Sequence, residues 1–291
     1  MSAGKTLISV VIISYNGMEF IEDCLATVYA GLKTSDSEVI VVDNASHDGT
    51  VNVIKSGFPQ VKLIANNDNL GFARAVNQGI MVAKGNLIFL LNQDTKIIGD
   101  ALLRLVARME SDSRIGTIGP KFIGFDGNLQ KSARAFPRYR DLFYEFTGLS
   151  YLFPQSEVFG HWKMGWFDHL SEREVDQPMG AALMVRREVI NKIGDFDETF
   201  GMFFNDVDFC RRVKESGLIN LYFPGATVAH FVGGSTRKRK ASMIIESHRS
   251  MYKYFRKYHK KVHTLPLLYF WGAMLFIAAY IRAAALRLFR H

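Results

Sequence analysis

Cysteine is scarce in this sequence. The 291 residues contain only two, Cys24 and Cys210, which is too few for a disulfide framework or for a zinc site built from four cysteines. Such low usage is typical of a reducing, cytoplasmic compartment. We expect both thiols to be packed in the core, without a chemical role.

Several well-known catalytic motifs are also absent. The sequence has no Gly-x-x-x-x-Gly-Lys-Ser/Thr loop, and no Gly-x-Gly-x-x-Gly fingerprint follows its first apolar run. Gly-x-Ser-x-Gly and His-Glu-x-x-His are missing too. The motifs therefore give no support to P-loop kinases, dehydrogenases, serine hydrolases or zincin proteases. A sugar-phosphate nucleotidyltransferase would need a basic, glycine-rich loop after the first strand, and residues 14–18 hold one glycine and no basic residue.

Charge is distributed unevenly along the chain. The overall composition is ordinary for a globular protein, with 48% hydrophobic residues, 22% charged residues and a net charge of +8. Residues 237–291 carry 13 Lys/Arg and one acid, Glu246, for a local charge of +12, whereas residues 1–236 carry −4. A basic segment of this kind predicts contact with an anionic partner, either nucleic acid or a membrane surface.

Strands and helices alternate over the first 120 residues. The pattern predicts strands at 7–13, 39–42, 61–65, 87–91 and 115–118, and helices near 18–31, 49–57, 71–83 and 99–110. Single helices between strands predict an α/β fold with a mostly parallel sheet flanked by helices. Ligands of such sheets bind beyond the carboxyl ends of the strands, which directs attention to residues 14–16, 43–44 and 92–94.

The remainder of the chain is less regular. Residues 120–178 mix aromatic and polar residues without a sustained period, and we expect a long, partly helical insertion that carries recognition elements. Regular structure returns with a predicted strand at 181–185, a helix to about 193, another helix from about 205, and a strand at 221–223.

The C-terminal segment is basic and apolar at once. Residues 242–261 are predicted to be helical, and residues 265–281 form a run of 17 residues without formal charge. Such a run spans about 25 Å, less than the roughly 30 Å of a bilayer core. A helix that lies in the membrane interface explains the run better than a spanning helix does, and a buried core helix is the alternative. The apolar run beside the basic cluster disfavours a nucleic-acid partner.

Polar side chains follow three of the predicted strands. Asp43 ends an apolar strand, where a carboxylate can accept hydrogen bonds from a nucleobase or a ribose, or can cap the next helix. Arg74 lies in a helix start that suits phosphate or ribose. Asn92, Gln93 and Asp94 follow another strand, and one carboxylate together with a diphosphate is a common way to hold Mg²⁺ or Mn²⁺. A plain strand-end turn is the alternative for these three residues.

Two further features lie in the second half of the chain. Asp206 and Asp208 fall at a predicted helix start, where the helix dipole favours carboxylates, and helix capping explains only one of them. His230 follows a strand and a Pro-Gly turn. Taken alone, a single histidine is more often structural than a metal ligand.

Taken in order, these motifs resemble the family 2 inverting glycosyltransferases, and most closely the bacterial rhamnosyltransferase-like members that build O-antigen and other cell-surface polysaccharides. The resemblance covers about residues 7–236 and rests on these segments: Val10-Val-Ile-Ile-Ser-Tyr-Asn16, Val41-Val-Asp-Asn-Ala-Ser46, Asn69-Leu-Gly-Phe-Ala73, Leu91-Asn-Gln-Asp94, Gly180-Ala-Ala-Leu-Met-Val-Arg186, Phe196-Asp-Glu198, Asp206-Val-Asp208 and His230.

The resemblance implies a GT-A catalytic domain over 1–236 and a membrane-associating helical tail over 237–291. Within the domain, residues 1–120 would form the nucleotide-binding half and residues from about 120 to 236 the acceptor side. The family pattern places six side chains at the nucleotide-sugar: Tyr15, Asn16, Asp43, Arg74, Asn92 and Gln93. It places Asp94 at a divalent metal, Mg²⁺ or Mn²⁺. His230 matches a family histidine that completes the metal shell, and Asp206 matches the general base.

Two departures from the family pattern concern the acidic residues. Asn205 stands where the family usually has Glu, which removes a carboxylate beside the predicted base, and Asn92 leaves Asp94 as the only carboxylate of its motif. Asp208 is the reserve candidate for the base. The alternative function is a catalytically degenerate, membrane-anchored subunit that binds nucleotide without turnover.

The predicted reaction moves a sugar from a dTDP- or UDP-linked donor to a lipid-linked saccharide acceptor. Rhamnose or another deoxysugar is the favoured sugar. The reaction would take place at the cytoplasmic face of a bacterial inner membrane, with the protein peripheral or monotopic. The sequence leaves linkage and oligomeric state open, a homo-oligomer included.

Overall fold

The computed structural model describes residues 7–32, 37–231 and 240–288. One mixed sheet runs through the described chain, and its strands are β1 (Ile8–Ser14), β2 (Ser37–Asp43), β3 (Lys62–Ala65), β4 (Leu87–Asn92), β5 (Thr95–Ile97), β6 (Ile115–Ile123), β7 (Leu129–Gln130), β8 (Arg173–Val175), β9 (Ala182–Arg186) and β10 (Ile219–His230).

The helices of the described chain cover both faces of this sheet and continue into the C-terminal segment. They are α1 (Ile21–Gly31), α2 (Thr50–Gly57), α3 (Phe72–Val82), α4 (Ala101–Glu110), α5 (Tyr139–Phe146), α6 (Leu149–Leu152), α7 (Arg187–Ile193), α8 (Asn205–Glu215), α9 (Lys240–Tyr258) and α10 (Leu265–Leu288).

The sheet is parallel at one side and mixed at the other. Strands β3, β2, β1 and β4 are neighbours and parallel, as the alternation predicts. Next to β4 lies β9, which is antiparallel to both β4 and β6. The expectation of a mostly parallel sheet therefore holds for the first half only, because the chain returns through residues 120–178 and inserts β9 in the opposite direction. Strand β10 pairs in parallel with β6 and is longer than the predicted 221–223.

Alternating strand residues feed two cores. Val10 and Ile12 of β1 face the helices α1 and α4, whereas Val11 and Ile13 face α3, α7 and α8. Both cysteines are fully buried in these layers, as expected, and burial raises the pKa of Cys24 to about 12. A thiol in this state is a packing group rather than a nucleophile.

The C-terminal segment is built into the molecule. Tyr254 and Phe255 of α9 are fully buried in a third core, together with Phe200 and Phe204, which precede α8. Helix α10 then packs on α9, and Gly272 allows the close approach, because a Cβ at this position would lie 2.6 Å from the Tyr252 ring. The predicted helices at 242–261 and 265–281 are both present, and the first belongs to the body of the protein.

Candidate active site

The carboxyl ends of β1 and β2 are tied together by side chains. The two carboxylate oxygens of Asp43 accept hydrogen bonds from the backbone N–H of Ser46 (2.9 Å) and from its hydroxyl (2.6 Å). The same hydroxyl accepts from the backbone N–H of Asn16 (2.8 Å), and Asn16 Oδ1 accepts from the N–H of His47 (2.9 Å). Asn16 has a φ of 49°, a left-handed conformation that asparagine tolerates. Asp43 and Asn16 therefore shape the wall at this strand end.

Gln93 holds the end of β4 against the end of β1. Its buried Oε1 accepts from the Ser14 hydroxyl (2.7 Å) and the Tyr15 N–H (2.9 Å), and its Nε2 donates to the Tyr15 carbonyl (3.0 Å). The amide packs so closely on Gly17 that a Cβ there would lie 1.9 Å from Oε1. A larger residue at position 17 would displace Gln93 and disturb both strand ends.

A cavity of about 380 Å³ opens at these strand ends. Tyr15, Asn92 and Gln93 line it, whereas Asn16 and Asp43 are not among its lining residues. No individual site role is predicted from the sequence for the other lining residues: Ile13 of β1, Asn44 after β2, Asn69, Gly71 and Phe72 at the start of α3, Gly201 and Met202 before α8, and Met243 of α9.

Asn44 organises one side of this cavity. Its Nδ2 donates to Asn69 Oδ1 (3.0 Å), and its Oδ1 accepts from the Leu70 N–H (2.9 Å). The strand-end rule directs attention to Asn44 together with Asp43 but assigns no role to its side chain. No comparable signal in the sequence marks Met243, which lies about 200 residues further along and reaches the cavity through the packing of α9.

Arg74 lies outside this cavity. Its Nε makes an ion pair with Glu198 Oε2 at 2.8 Å, and Asn77 donates to the other oxygen of Glu198 at 3.1 Å. These residues line a neighbouring, open cavity of about 400 Å³ that Leu70 borders. The Arg74 side chain is 58% exposed. Here Arg74 joins α3 to the loop before α8.

Asp94 and His230 lie together where β10 ends beside β5. His230 Nε2 is 3.7 Å from Asp94 Oδ1, and the backbone N–H of Phe231 donates to the Asp94 carbonyl (2.9 Å). Phe122 contacts the His230 ring edge-on, with the ring centroids 5.7 Å apart. Burial lowers the pKa of His230, although the nearby Asp94 carboxylate acts in the opposite direction. The neutral ring is the form that binds metals.

The pair offers two candidate ligands for a cation. Within the described parts of the chain, no cluster of three or more His, Cys, Asp or Glu side chains could hold a metal by itself. A carboxylate and an imidazole are nevertheless ligands that suit Mn²⁺ or Mg²⁺, and the oxygens of a diphosphate and water would supply the remaining positions. The donor set therefore fits a metal that binds together with a nucleotide diphosphate.

Asp206 is the second residue of α8, and its carboxylate accepts three hydrogen bonds. Its Oδ2 accepts from Gln177 Nε2 (2.7 Å) and from the Gly180 N–H (3.1 Å), and its Oδ1 accepts from the Val207 N–H (2.9 Å). Burial raises the pKa of Asp206, although these hydrogen bonds act to lower it. A raised carboxyl pKa makes a stronger base near neutral pH. Arg134 is the cation that faces it, and burial lowers the pKa of that guanidinium.

The side chains of Asn205 and Asp208, on either side of Asp206 in the sequence, both form hydrogen bonds within the protein. Asn205 is buried; its Oδ1 accepts from the Asp206 N–H (2.7 Å), and its Nδ2 donates to the Gly201 carbonyl (3.0 Å). Asp208 is fully buried and accepts from Tyr258, Lys257 and Arg212 at 2.6, 2.6 and 2.9 Å. This carboxylate joins α9 to α8 and offers no surface to an acceptor, so its geometry argues against the role of reserve base.

Residues 92–94, at the end of β4, connect the cavity, the Asp94–His230 pair and Asp206. The backbone N–H of Asn92 donates to the Ala181 carbonyl (2.9 Å), one residue from the Gly180 N–H that holds Asp206. Asn92 and Gln93 line the 380 Å³ cavity, and Asp94 lies against His230. The cavity, the candidate cation ligands and the candidate base are therefore all connected to the end of β4.

Two solved glycosyltransferase structures have a similar fold. The chain is similar to a mannosyltransferase from Pyrobaculum calidifontis in complex with GDP-Man and Mn²⁺, with a TM-score of 0.60 and 18% identity over 97% of this chain and 76% of that one. It is also similar to GalNAc-T7 with UDP, GalNAc and Mn²⁺, with a TM-score of 0.59 and 17% identity over 79% of this chain and 44% of that one. Both have the GT-A fold that the sequence predicts.

Curated proteins with similar sequences include other glycosyltransferases. An N-acetylglucosaminyl-diphospho-decaprenol L-rhamnosyltransferase from Mycobacterium tuberculosis is 28% identical over 273 residues, which is 90% of this chain and 88% of the relative. A poly-beta-1,6-N-acetyl-D-glucosamine synthase from Staphylococcus aureus is 33% identical over 112 residues, 36% of this chain and 26% of that protein. The family model of glycosyl transferase family 2 matches residues 9–173, more than half of the chain. The predicted family is therefore confirmed: the chain belongs to glycosyl transferase family 2 and is a glycosyltransferase with the GT-A fold.

Proposed function

We propose that this protein is a metal-dependent inverting glycosyltransferase that transfers rhamnose, or another deoxysugar, from a nucleotide diphosphate to a lipid-linked saccharide in cell-surface polysaccharide synthesis. The observation that carries the proposal is the meeting of three groups at the end of β4: the cavity lined by Tyr15 and Asn92, the Asp94–His230 pair, and the hydrogen-bonded Asp206. An inverting transfer needs a donor pocket, a means to stabilise the leaving diphosphate, and a base.

Asp206 is the base of this proposal. Its carboxylate takes the proton of the acceptor hydroxyl as that oxygen attacks the anomeric carbon of the donor, and the bond to the diphosphate oxygen breaks with inversion. Hydrogen bonds from Gln177, Gly180 and Val207 orient the carboxylate, which favours proton transfer from a correctly placed hydroxyl. Asp94 and His230 would hold the metal, which when bound neutralises charge that develops on the departing diphosphate.

The donor and acceptor classes rest on the relatives. The mycobacterial relative is named for a rhamnosyl transfer to N-acetylglucosaminyl-diphospho-decaprenol. An acceptor of this kind carries a diphosphate and a polyprenyl chain, so the enzyme must work beside a membrane. We therefore propose a polyprenyl-diphosphate-linked saccharide as acceptor and a dTDP-linked deoxysugar as donor, with UDP-sugars as the second choice.

The composition and exposure of helix α10 support the proposed attachment to a membrane surface. The stretch Leu265–Ala284 has a mean hydropathy of 1.6, and 33% of it is buried. Leu268, Trp271 and Leu275 face α9, whereas the opposite side exposes further apolar residues: Leu267, Tyr269, Phe270, Ile277, Tyr280 and Ile281. Helices that are apolar on all sides are buried in protein or in lipid. Because α10 packs along α9, it would lie in the membrane interface, with the protein monotopic at the cytoplasmic face.

The replacement of Asp206 by Asn tests the catalytic assignment. We expect kcat to fall by about 10²–10⁴-fold, the usual contribution of a general base, while nucleotide affinity stays within about twofold, because the isosteric amide leaves the cavity intact. The assay follows sugar transfer from dTDP-rhamnose to synthetic N-acetylglucosaminyl-diphospho-polyprenol by mass spectrometry. Asp112→Asn, at a surface Asp paired with Arg114, is the matched control.

The same assay separates the proposal from the binding-subunit alternative, which Asn205 motivates. Binding of dTDP or UDP without consumption of any donor by the wild-type protein would favour that alternative. Unchanged turnover in Asp206→Asn would leave a transferase whose base lies elsewhere.

A further inference from the structure

Gln130 forms a second contact with the histidine of the candidate cation site. Its Nε2 donates to the backbone carbonyl of His230 at 2.7 Å, and its Oε1 lies 3.3 Å from His230 Nδ1. Gln130 belongs to the short strand β7, which pairs with β6 through Phe122. The residue lies 100 positions before the histidine, within the irregular segment for which the sequence pattern predicts no residue roles.

The hydrogen-bonding partners determine which terminal atom of the Gln130 amide is the nitrogen and which is the oxygen. A backbone carbonyl only accepts hydrogen bonds, so the Gln130 atom 2.7 Å from the His230 carbonyl must be the NH₂ group. The amide oxygen is then the atom that faces Nδ1. Since that oxygen also only accepts, Nδ1 must carry a proton, and in the neutral ring Nε2 is left with its lone pair.

This lone pair faces Asp94. His230 Nε2 lies 3.7 Å from Asp94 Oδ1, so the nitrogen that carries the lone pair is close to a carboxylate oxygen. Two electron-pair donors at this separation are arranged as ligands of one cation. Phe122 also contacts the ring edge-on, so the amide and the phenyl group both restrict its movement.

We propose that Gln130 is a positioning residue that fixes His230 as the Nδ1–H tautomer and thereby presents Nε2 to the divalent cation. The inference rests on the proposed metal-dependent function and deepens it. Hydrogen-bond partners of this kind fix the orientation of ligating histidines in many metal sites, and their loss typically weakens metal affinity by about 10–100-fold.

The first test is the tautomer of the wild-type protein without ligand. Long-range ¹H–¹⁵N correlation spectra of the full chain report which ring nitrogen carries the proton, and the missing signals of His230→Ala identify His230 among the eight histidines. We expect the Nδ1–H pattern at a pH where the ring is neutral. The Nε2–H pattern would overturn the inference, and this measurement needs no variant of Gln130.

The second test compares Mn²⁺ affinities by electron paramagnetic resonance, with Mn²⁺ alone and with dTDP or UDP. Gln130→Met keeps the side-chain length and removes both hydrogen bonds, and we expect it to weaken Mn²⁺ binding about tenfold and to give a mixture of tautomers. Leu129→Ala, at the exposed neighbour on the same strand, is the matched control and should change neither quantity.

The outcomes separate this inference from the proposed function. If His230→Ala weakens Mn²⁺ binding and Gln130→Met does not, the metal assignment stands and the role of Gln130 is wrong. If His230→Ala leaves Mn²⁺ affinity unchanged, the metal assignment fails and the inference falls with it.

Discussion

At the scale of single residues, the candidate base has an environment that the other acids of its helix lack. Asp206 is partly exposed, held by Gln177, Gly180 and Val207, and has a raised pKa because of burial. Asp208, two residues away, is engaged by three donors inside the protein. Residue type alone makes the two acids equivalent; the family motif favours Asp206, and the surroundings of the two carboxylates support that choice.

The raised pKa of Asp206 predicts the acid limb of the pH–rate profile. The base must be deprotonated to act, so activity is lost as pH falls through the pKa of Asp206. Because burial raises this pKa, the limb should lie above the ordinary carboxyl range. Gln177→Leu removes a hydrogen bond that stabilises the carboxylate, so the pKa should rise further and the limb should move to higher pH.

The measurement is kcat against pH for the wild type, Gln177→Leu and Gln60→Leu. Gln60 is exposed and distant from α8 in the sequence, and its variant should follow the wild-type profile. A limb that stays in place in Gln177→Leu would show that another group controls it.

At the scale of elements, α9 is a structural partner of the helix that carries the base. Tyr258 and Lys257 donate to the buried Asp208, and Lys257 also contacts Asp197 at 2.6 Å, in the loop before α8. The aromatic core formed with Tyr254 and Phe255 adds apolar burial to this junction. The segment that the sequence marks as a basic tail therefore positions the start of α8.

Removal of the Tyr258 hydroxyl should weaken this junction. Hydrogen bonds to charged groups contribute about 1.5–3 kcal/mol when buried, and Asp208 is fully buried. We expect Tyr258→Phe to lower the free energy of unfolding by about that amount, as measured by urea denaturation. Tyr269→Phe, at a tyrosine that is 64% exposed on α10, is the control and should leave the free energy of unfolding nearly unchanged. Equal stabilities of the two variants would contradict the proposed junction.

At the scale of the whole molecule, apolar surface and positive charge are combined at the C-terminal segment. The outer side of α10 exposes aromatic and aliphatic residues, and residues 237–291 carry +12. Anionic lipid attracts such a charge, and the apolar side of α10 can then enter the interface. Residues 1–236 carry a net charge of −4 and therefore contribute little to this attraction.

Membrane binding should therefore depend on the outer side of α10. The double replacement Ile277→Gln and Ile281→Gln changes two residues that are 55% and 63% exposed. Each buried isoleucine contributes about 1.5 kcal/mol or more, so binding to vesicles that contain anionic lipid should weaken at least about tenfold. Co-sedimentation measures the bound fraction. The control is the double variant Met81→Gln and Leu170→Gln, which changes residues that are 77% and 69% exposed on the body, and it should bind vesicles like the wild type. If both double variants lose the same amount of vesicle binding, α10 is not the membrane-binding element.

The sequence alone determined the strand–helix alternation, the strand ends that carry Tyr15, Asp43 and Asn92, and the family, because these features are local. Apolar periodicity reports which face of an element is buried, and short motifs identify the polar residues at the end of each strand. The short strands β5, β7 and β8 escaped this reasoning, since two or three residues carry no period.

Only the tertiary structure decided how these features combine. Gln130 meets His230 across 100 residues, and Tyr258 meets Asp208 across 50. Contacts over such distances depend on where the sheet and the helices bring the chain back, and no local pattern encodes them. For this reason the motifs could name Asp206 and Asp208 together, whereas the packing of α9 separates a candidate base from a buried carboxylate.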